Sequence, residues 1–305
     1  MYAASALVGA GVAPLFMTLG FFIWGSEWLG SAHTLNLFKC SLAGCMFAAT
    51  GLLLNGPGLS LLFQRETLSP LLLSSLLGIV VGDNAWQQIL GARRVILIDC
   101  FKPTLSAVLA TALLHEPLPA RLFFGSVLVC AGVAAVCRER QSDDDHEPDH
   151  GHAAAGYALA ALNVTLDVFG SVLTKQSGAQ LSTWEINAVR FGFASLVLGA
   201  ISLSAREASL QSVQKPSSLP WWDMPAQSEQ AWRRVVLGVA LVTFACPALS
   251  NYALFRLPLG LSQTLSSLGP LYAVAVDRVL LARPVSWRCV AATLVALLGV
   301  CLALL

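Results

Sequence analysis

Apolar blocks long enough to cross a lipid bilayer recur along almost the whole of this 305-residue chain. Hydrophobic residues make up 56% of it and charged residues only 11%, whereas a soluble domain carries about 25% charged residues. A helix needs about 20 apolar residues to span the hydrocarbon layer. Backbone groups in lipid have no hydrogen-bond partner outside their own segment, so each block is expected to be a helix. The sequence therefore predicts an all-α integral membrane protein.

The chain divides into ten candidate spans in one membrane domain. These are residues 2–24, 34–54, 70–90, 95–114, 121–137, 153–174, 184–204, 234–255, 259–281 and 287–305. An acidic hydrophilic connector, residues 138–152, separates a first five-span half (1–137) from a second (153–305). The Pro, Ser and Gln content of residues 206–234 is typical of a surface loop.

A fixed-offset repeat relates the end of the first half to the end of the second. With a shift of 167 residues and no gap, about nine of fifty-five pairs are identical. Asparagine, proline and glycine matches are the informative ones, because leucine and valine matches come easily in an apolar sequence. Five spans per half is an odd number, so the second half enters the membrane from the opposite side. The prediction is ten transmembrane helices as two inverted five-helix repeats, with a site near the midplane.

Four features of each half make the chain resemble the EamA-like branch of the drug/metabolite transporter superfamily. The second span of each half has an early basic residue (Lys39, Arg190), and the third spans end alike (82–86, and more weakly 250–254). The fourth span of each half contains a proline (Pro103, Pro270). A Leu-x-x-Glu-Pro-Leu-type corner precedes a glycine-bearing last span (113–132). The resemblance covers essentially the whole chain. It implies export or exchange of small organic metabolites. One departure is that Arg283 stands opposite the corner residue Glu116.

Two indications of orientation disagree. Nine arginines of the connections fall on one side of the predicted topology and four basic residues on the other. The positive-inside rule then puts both termini outside the cytoplasm. The resemblance instead implies that both termini are cytoplasmic, so both orientations stay open.

The fourth and ninth spans contain the strongest candidates for a substrate site. Asp99 and Lys102 lie three residues apart, on one helix face, and Pro103 follows. Gly269 and Pro270 lie at the corresponding place in the second half. Charges inside a span usually face a cavity or a partner, and helices broken at matching positions in two halves point to a midplane site. We expect these five residues to face one another, with Lys102 attracting a carboxylate or phosphate; a structural pair with Lys102 reaching the interface is the alternative.

Three further polar residues are candidates with a structural alternative. Asn84 and its repeat partner Asn251 are candidate substrate contacts, although a hydrogen bond between helices explains such asparagines equally simply. Asp167 lies inside the sixth span with no charged neighbour in the sequence. It is a candidate proton-coupling carboxylate, or a residue that bonds to a neighbouring helix.

No cofactor or metal is predicted. The histidines of the acidic connector lack a fixed ligand spacing, and the eight cysteines form no CxxC pair and lie in or beside apolar blocks. The net charge of +1 and the lack of a basic stripe argue against a nucleic-acid partner. The expected partners are the lipid bilayer and a small organic metabolite. Ala292 and Ala296 form a small-xxx-small pattern that favours close helix packing and offers a face for a homodimer.

Three classes of function fit a membrane protein of this kind. A secondary transporter working by alternating access is favoured by the intramembrane charges and paired prolines, and it would be driven by a gradient or by exchange, since no ATP-binding motif occurs. An intramembrane enzyme would need a nucleophile–base pair or a metal cluster inside the spans, and no histidine is predicted there. A non-transporting scaffold or receptor is the third alternative.

Overall fold

A computed structural model describes most of the chain, in nine stretches. They are residues 4–24, 27–54, 65–82, 100–141, 153–178, 180–210, 220–280, 282 and 284–305. Asn84 and Asp99, two of the predicted site residues, lie outside the described residues, as does the acidic connector 142–152.

Every regular element in the described residues is a helix. In chain order they are α1 (Ala4–Trp24), α2 (Ala32–Leu53), α3 (Arg65–Gly82), α4 (Lys102–Leu114), α5 (Ala120–Gln141), α6 (Ala153–Ser177), α7 (Thr183–Leu210), α8 (Glu229–Leu254), α9 (Leu259–Ser266), α10 (Gly269–Leu280) and α11 (Trp287–Leu304). Seven of them are long and apolar enough to cross a membrane, namely α1, α2, α3, α5, α7, α8 and α11. The chain is thus a multi-pass integral membrane protein.

Serine side chains begin several of these helices by bonding the free backbone N–H groups of the first turn. Ser31, Ser228 and Ser286 each accept a hydrogen bond from a backbone N–H three residues on. At α7, Ser182 and Glu185 bond each other's backbone N–H groups, which is a capping box. Glu185 thus stabilises the first turn of α7.

The predicted ninth span is interrupted. Residues 259–281 were expected to form one helix bent by Pro270, but α9 ends at Ser266 and α10 begins at Gly269. A proline ring clashes with the carbonyl four residues earlier, and in this span that carbonyl belongs to Ser266. In the fourth span the expected mid-helix proline instead occupies the first turn, because α4 begins at Lys102 and Pro103 is its second residue. A proline is readily accepted there.

Both α3 and α8 contain a π-helical segment, Leu76–Gly82 and Ala240–Ala245 respectively. An asparagine from the second helix of the same half bonds to each of these helices. Asn36 Nδ2 donates to Ile79 O at 3.1 Å, inside the π-helical segment of α3, and Asn187 Nδ2 donates to Pro247 O at 3.4 Å, two residues beyond the π-helical segment of α8. The carbonyl of Ile79, in irregular helix, is thereby given a partner within the protein.

The corners before α5 and α11 share an unusual backbone conformation. His115 has φ 53° and Ala282 has φ 52°, and they are the two non-glycine residues with positive φ in the described part of the chain. The left-handed region costs such residues about 1–2 kcal/mol. The two residues are also partners at the 167-residue offset, so the repeat seen in the sequence has a counterpart in backbone geometry.

The last helices of the two halves, α5 and α11, pack backbone to backbone. A Cβ added to Gly132 would lie 2.6 Å from Ala296 N and 2.7 Å from Ala292 O. Ala296 is fully buried and Ala292 is 8% exposed. The close helix packing predicted for these alanines is confirmed, and it occurs between two helices of the same chain; their small side chains are covered by α5 and so do not form an open face for a second copy.

Candidate functional site

A seam of small residues joins α3 to α6 and determines where the carboxylate of Asp167 lies. Along the seam Ser74 meets Gly170, Gly78 meets Asp167, and Gly82 meets Asn163. Numbers rise along α3 as they fall along α6, so the two helices are antiparallel. The contacts recur every four residues on α3, which is one face of a helix.

Lys102 and Asp167 form an ion pair that joins α4 to α6. Asp167 has no charged neighbour in the sequence, and the fold supplies one from the other half. The side chains are 26% and 32% exposed, so the pair is accessible from a space inside the protein or at its surface. An ionisable group within a span is costly unless it is paired or faces a cavity, and this pair satisfies that condition.

Arg190 of α7 approaches the same glycine, Gly78, that Asp167 contacts. A Cβ at Gly78 would lie 3.6 Å from Asp167 Oδ1 and 3.7 Å from Arg190 Nη2. Ser75 Oγ donates to Arg190 O at 2.5 Å, which ties the arginine's backbone to α3. We call Gly78, Lys102, Asp167 and Arg190 the central cluster. It combines two cations and one carboxylate from three helices around a residue without a side chain.

α9 also contacts α6 close to this cluster. Gln263 Nε2 of α9 donates to Ser171 Oγ at 3.4 Å, one turn along α6 from Asp167. Elements of both halves of the chain therefore converge here, as expected for a site at their boundary.

Other predicted site residues lie elsewhere. Gly269 contacts α1, where Thr18 Oγ1 donates to its carbonyl oxygen at 3.1 Å. Lys102 was expected to face Gly269 and Pro270; among the described residues it forms an ion pair with Asp167. Pro103 is buried directly beside Lys102 in the first turn of α4.

Asn251 takes part in a hydrogen bond between helices. Its Nδ2 donates to Asn187 Oδ1 at 2.6 Å, and its side chain is 7% exposed. This geometry favours the packing role that the sequence left open, linking α7 to α8. Such bonds contribute only about 0.6 kcal/mol on average within membranes.

A second group of polar contacts lies beyond the end of α4. Lys175 Nζ is 2.5 Å from Glu116 Oε1 and donates to Leu257 O at 2.6 Å. Glu116 Oε2 accepts from Leu259 N, the first residue of α9, at 2.7 Å. We call Glu116, Lys175, Leu257 and Leu259 the edge cluster. It ties the α4–α5 corner, the end of α6 and the α8–α9 connection to one another.

Glu116→Gln is expected to lower the unfolding free energy by about 1.5–3 kcal/mol, the range for a hydrogen bond to a charged group. Glutamine removes the charge opposite Lys175, whose side chain is only 16% exposed. The matched control is Glu229→Gln, which breaks the surface pair with Arg233, both side chains being at least 78% exposed. That change should cost about 0.5 kcal/mol or less. Melting temperatures in detergent measure both, and equal losses would contradict a structural role for the edge cluster.

Sequence reasoning identified Lys102 and Asp167 separately and missed Gly78 and Arg190 as their neighbours. The signal available was the four-residue spacing of Ser74, Gly78 and Gly82 in an apolar segment. Two open grooves, of about 630 and 580 Å³, lie away from the central cluster, between α10 and α11 and between α7 and α8. Within the described residues, no group of three or more metal-ligand side chains occurs.

Comparisons with known proteins agree with this architecture. Residues 154–305 match the model of the EamA-like transporter family. A crystal structure of another protein is similar over 99% of this chain and 97% of that chain, with a TM-score of 0.77 and 18% sequence identity. At that identity the likeness concerns the fold alone. No curated protein sequence matches the chain significantly.

Proposed function

Since the chain belongs to the EamA-like transporter family, within the drug/metabolite transporter superfamily, we propose that it is a secondary transporter of a small organic metabolite. Transport by alternating access would be driven by a gradient or by exchange. The observation that carries the proposal is the ion pair between Lys102 and Asp167, in which a helix from each half of the chain contributes one charge. Members of this family are transporters and not enzymes, which is consistent with a non-catalytic role.

An architecture of ten helices in two inverted halves is part of this proposal. Its support comes from the matching corners at His115 and Ala282 and from the asparagine contacts to α3 and α8. The antiparallel seam between α3 and α6 also supports it. If α1 and α3 cross in the same direction, then α6, the first helix of the second half, runs opposite to α1.

Asp167 is proposed to couple substrate movement to that of a proton. Its carboxylate lies beside Lys102, where the anionic group of a substrate could take its place, and its side chain is 32% exposed. Asp99, Asn84 and Pro270 remain part of the proposed substrate path on sequence grounds alone, and Asn251 does so with its amide engaged by Asn187.

A thermal-shift screen in detergent tests the proposal, using pooled metabolites sorted into anions, cations and zwitterions. A ligand that binds only the folded protein, at 100 times its dissociation constant, should add about 2.7 kcal/mol of stability. Stabilising compounds are then tested for uptake into proteoliposomes. We expect Lys102→Ala to remove both the shift and the uptake, because it deletes the cation facing Asp167.

The control variant is Arg233→Gln. The Arg233 side chain is 78% exposed, and its ion-pair partner Glu229 lies one turn away on the same helix. It should keep the full shift and the full uptake. An absence of uptake for every stabilising compound would overturn the proposed function. A Lys102→Ala protein with unchanged uptake would remove the central cluster from it.

A further inference from the structure

We propose that the central cluster binds the carboxylate of a compact organic anion, with Arg190 as a second substrate-binding cation and Gly78 as the residue that limits substrate size. This inference rests on the proposed function and narrows it to a class of substrate. It concerns two residues, Gly78 and Arg190, that the sequence did not assign to the site.

The charges of the cluster match a carboxylate. Lys102 already holds the Asp167 carboxylate, so the site has the dimensions and polarity that such a group requires. Arg190 Nη2 and Asp167 Oδ1 approach the same point above Gly78, at 3.7 and 3.6 Å from the position of an added Cβ. Arg190 presents a planar set of donors that suits a carboxylate. A substrate carboxylate that displaces Asp167 from Lys102 would thus be held between two cations.

The glycine at position 78 provides the space for this exchange. Both distances at the added Cβ are ordinary van der Waals contacts, so alanine fits without moving either charged group. A larger side chain would extend from α3 into the region between Asp167 and Arg190. The residue at position 78 should therefore set how bulky a substrate can be beside its carboxylate.

Partial exposure of the pair makes the exchange feasible. Lys102 and Asp167 are 26% and 32% exposed, so a ligand can reach them without unfolding a helix. Neutral and cationic compounds would gain nothing from displacing Asp167, because they would leave Lys102 without an anion inside the membrane. Selection for anions follows from the excess of positive charge in the cluster, where Lys102 and Arg190 lie near the single carboxylate of Asp167.

The test measures melting temperatures of the full-length protein in detergent with three carboxylates, lactate, butyrate and benzoate, each compared with its neutral amide. We expect the carboxylates to stabilise the protein and the amides to leave it unchanged. Inorganic phosphate, run in parallel, distinguishes a carboxylate site from a general anion site. Stabilisation by the amides as strong as by the acids would overturn the proposal, as would stabilisation by phosphate alone or by none of these compounds.

Variants separate the roles of the two residues. Arg190→Gln should raise the carboxylate concentration that gives half-maximal stabilisation by about tenfold, the change that 1.4 kcal/mol produces. Arg190→Lys should restore part of the lost affinity. Gly78→Ala should keep all the carboxylate shifts, while Gly78→Leu should lose that of benzoate first. Gly11→Leu is the control, because nothing lies within 4 Å of a Cβ added there.

Failure of this inference can be told apart from failure of the proposed function. If a neutral or cationic metabolite is taken up and carboxylates do not bind, the protein is a transporter and the carboxylate site is wrong. If Gly78→Leu and Arg190→Gln fold and bind every carboxylate as the wild type does, the two residues have no part in the site.

Discussion

Asp167→Asn is expected to slow net uptake by about tenfold while leaving exchange of substrate across the membrane largely intact. The substitution leaves Lys102 without the carboxylate that neutralises it in the empty protein. Removing one partner of a fully buried pair costs about 3–5 kcal/mol, and the partial exposure of this pair lowers that to about 1–2 kcal/mol. A cost of 1.4 kcal/mol already corresponds to about tenfold in a rate or population.

The cost falls on the empty protein alone if the substrate is an anion. A bound carboxylate would neutralise Lys102 in place of Asp167, so the loaded protein could still change conformation. Net uptake requires the empty protein to return, whereas exchange does not. Proteoliposomes containing internal substrate measure exchange, and empty proteoliposomes measure net uptake.

A double variant provides the control. Lys102→Met with Asp167→Asn removes both charges, which is often neutral or stabilising for a buried pair. It should fold as stably as the wild type and transport nothing. Equal loss of uptake and exchange in Asp167→Asn alone would contradict a specific role in the return of the empty protein, and unchanged net uptake would remove Asp167 from the coupling mechanism.

Gly132→Ala is expected to destabilise the protein by about 1–3 kcal/mol or more, the cost of overpacking a tight contact. The added Cβ would approach Ala296 N and Ala292 O to 2.6 and 2.7 Å. Both are backbone atoms, so neither can rotate away, and α5 and α11 must move apart along their shared length. Melting temperature in detergent and the yield of monodisperse protein measure the effect.

Gly299→Ala at the repeat-related position should behave in the same way, since its added Cβ would lie 2.7 Å from Gly125 O and Val129 N. Gly11→Ala is the matched control within a span. Nothing lies within 4 Å of its Cβ, and exchanging glycine for alanine in a helix should stabilise by about 0.5–1 kcal/mol. If all three variants melted alike, the close contact would not limit stability.

The membrane class and most helix positions were predictable because hydrophobic length decides both. The α4–α5 corner and its counterpart before α11 were also predictable, because the gapless offset of 167 residues pairs His115 with Ala282. The interruption between α9 and α10 was signalled by Pro270, although its position followed from the carbonyl four residues earlier. These are local effects that a single segment determines.

The central cluster was only partly predictable. Lys102 and Asp167 were recognised because charge inside a span is expensive, but the sequence near either residue gives no sign that the two form a pair. The predicted pairing of Lys102 with Asp99 lies outside the described residues. Gly78 carries no chemical group of its own. Its importance comes from α6, which packs against it. The periodicity of a sequence does not predict which distant segments pack together. The π-helical segments of α3 and α8 were missed for the same reason.

The pairing of Lys102 with Asp167 also has an electrical consequence. In the empty protein the two charges of the pair cancel, so the membrane potential does not act on the pair itself. A bound carboxylate adds one negative charge unless Asp167 takes up a proton as it is displaced. Without that proton, each 100 mV across the membrane would act on the loaded state with about 2.3 kcal/mol. If Asp167 takes up a proton, loading adds no net charge to the site. Transport is then driven by the difference in proton concentration and not by the membrane potential.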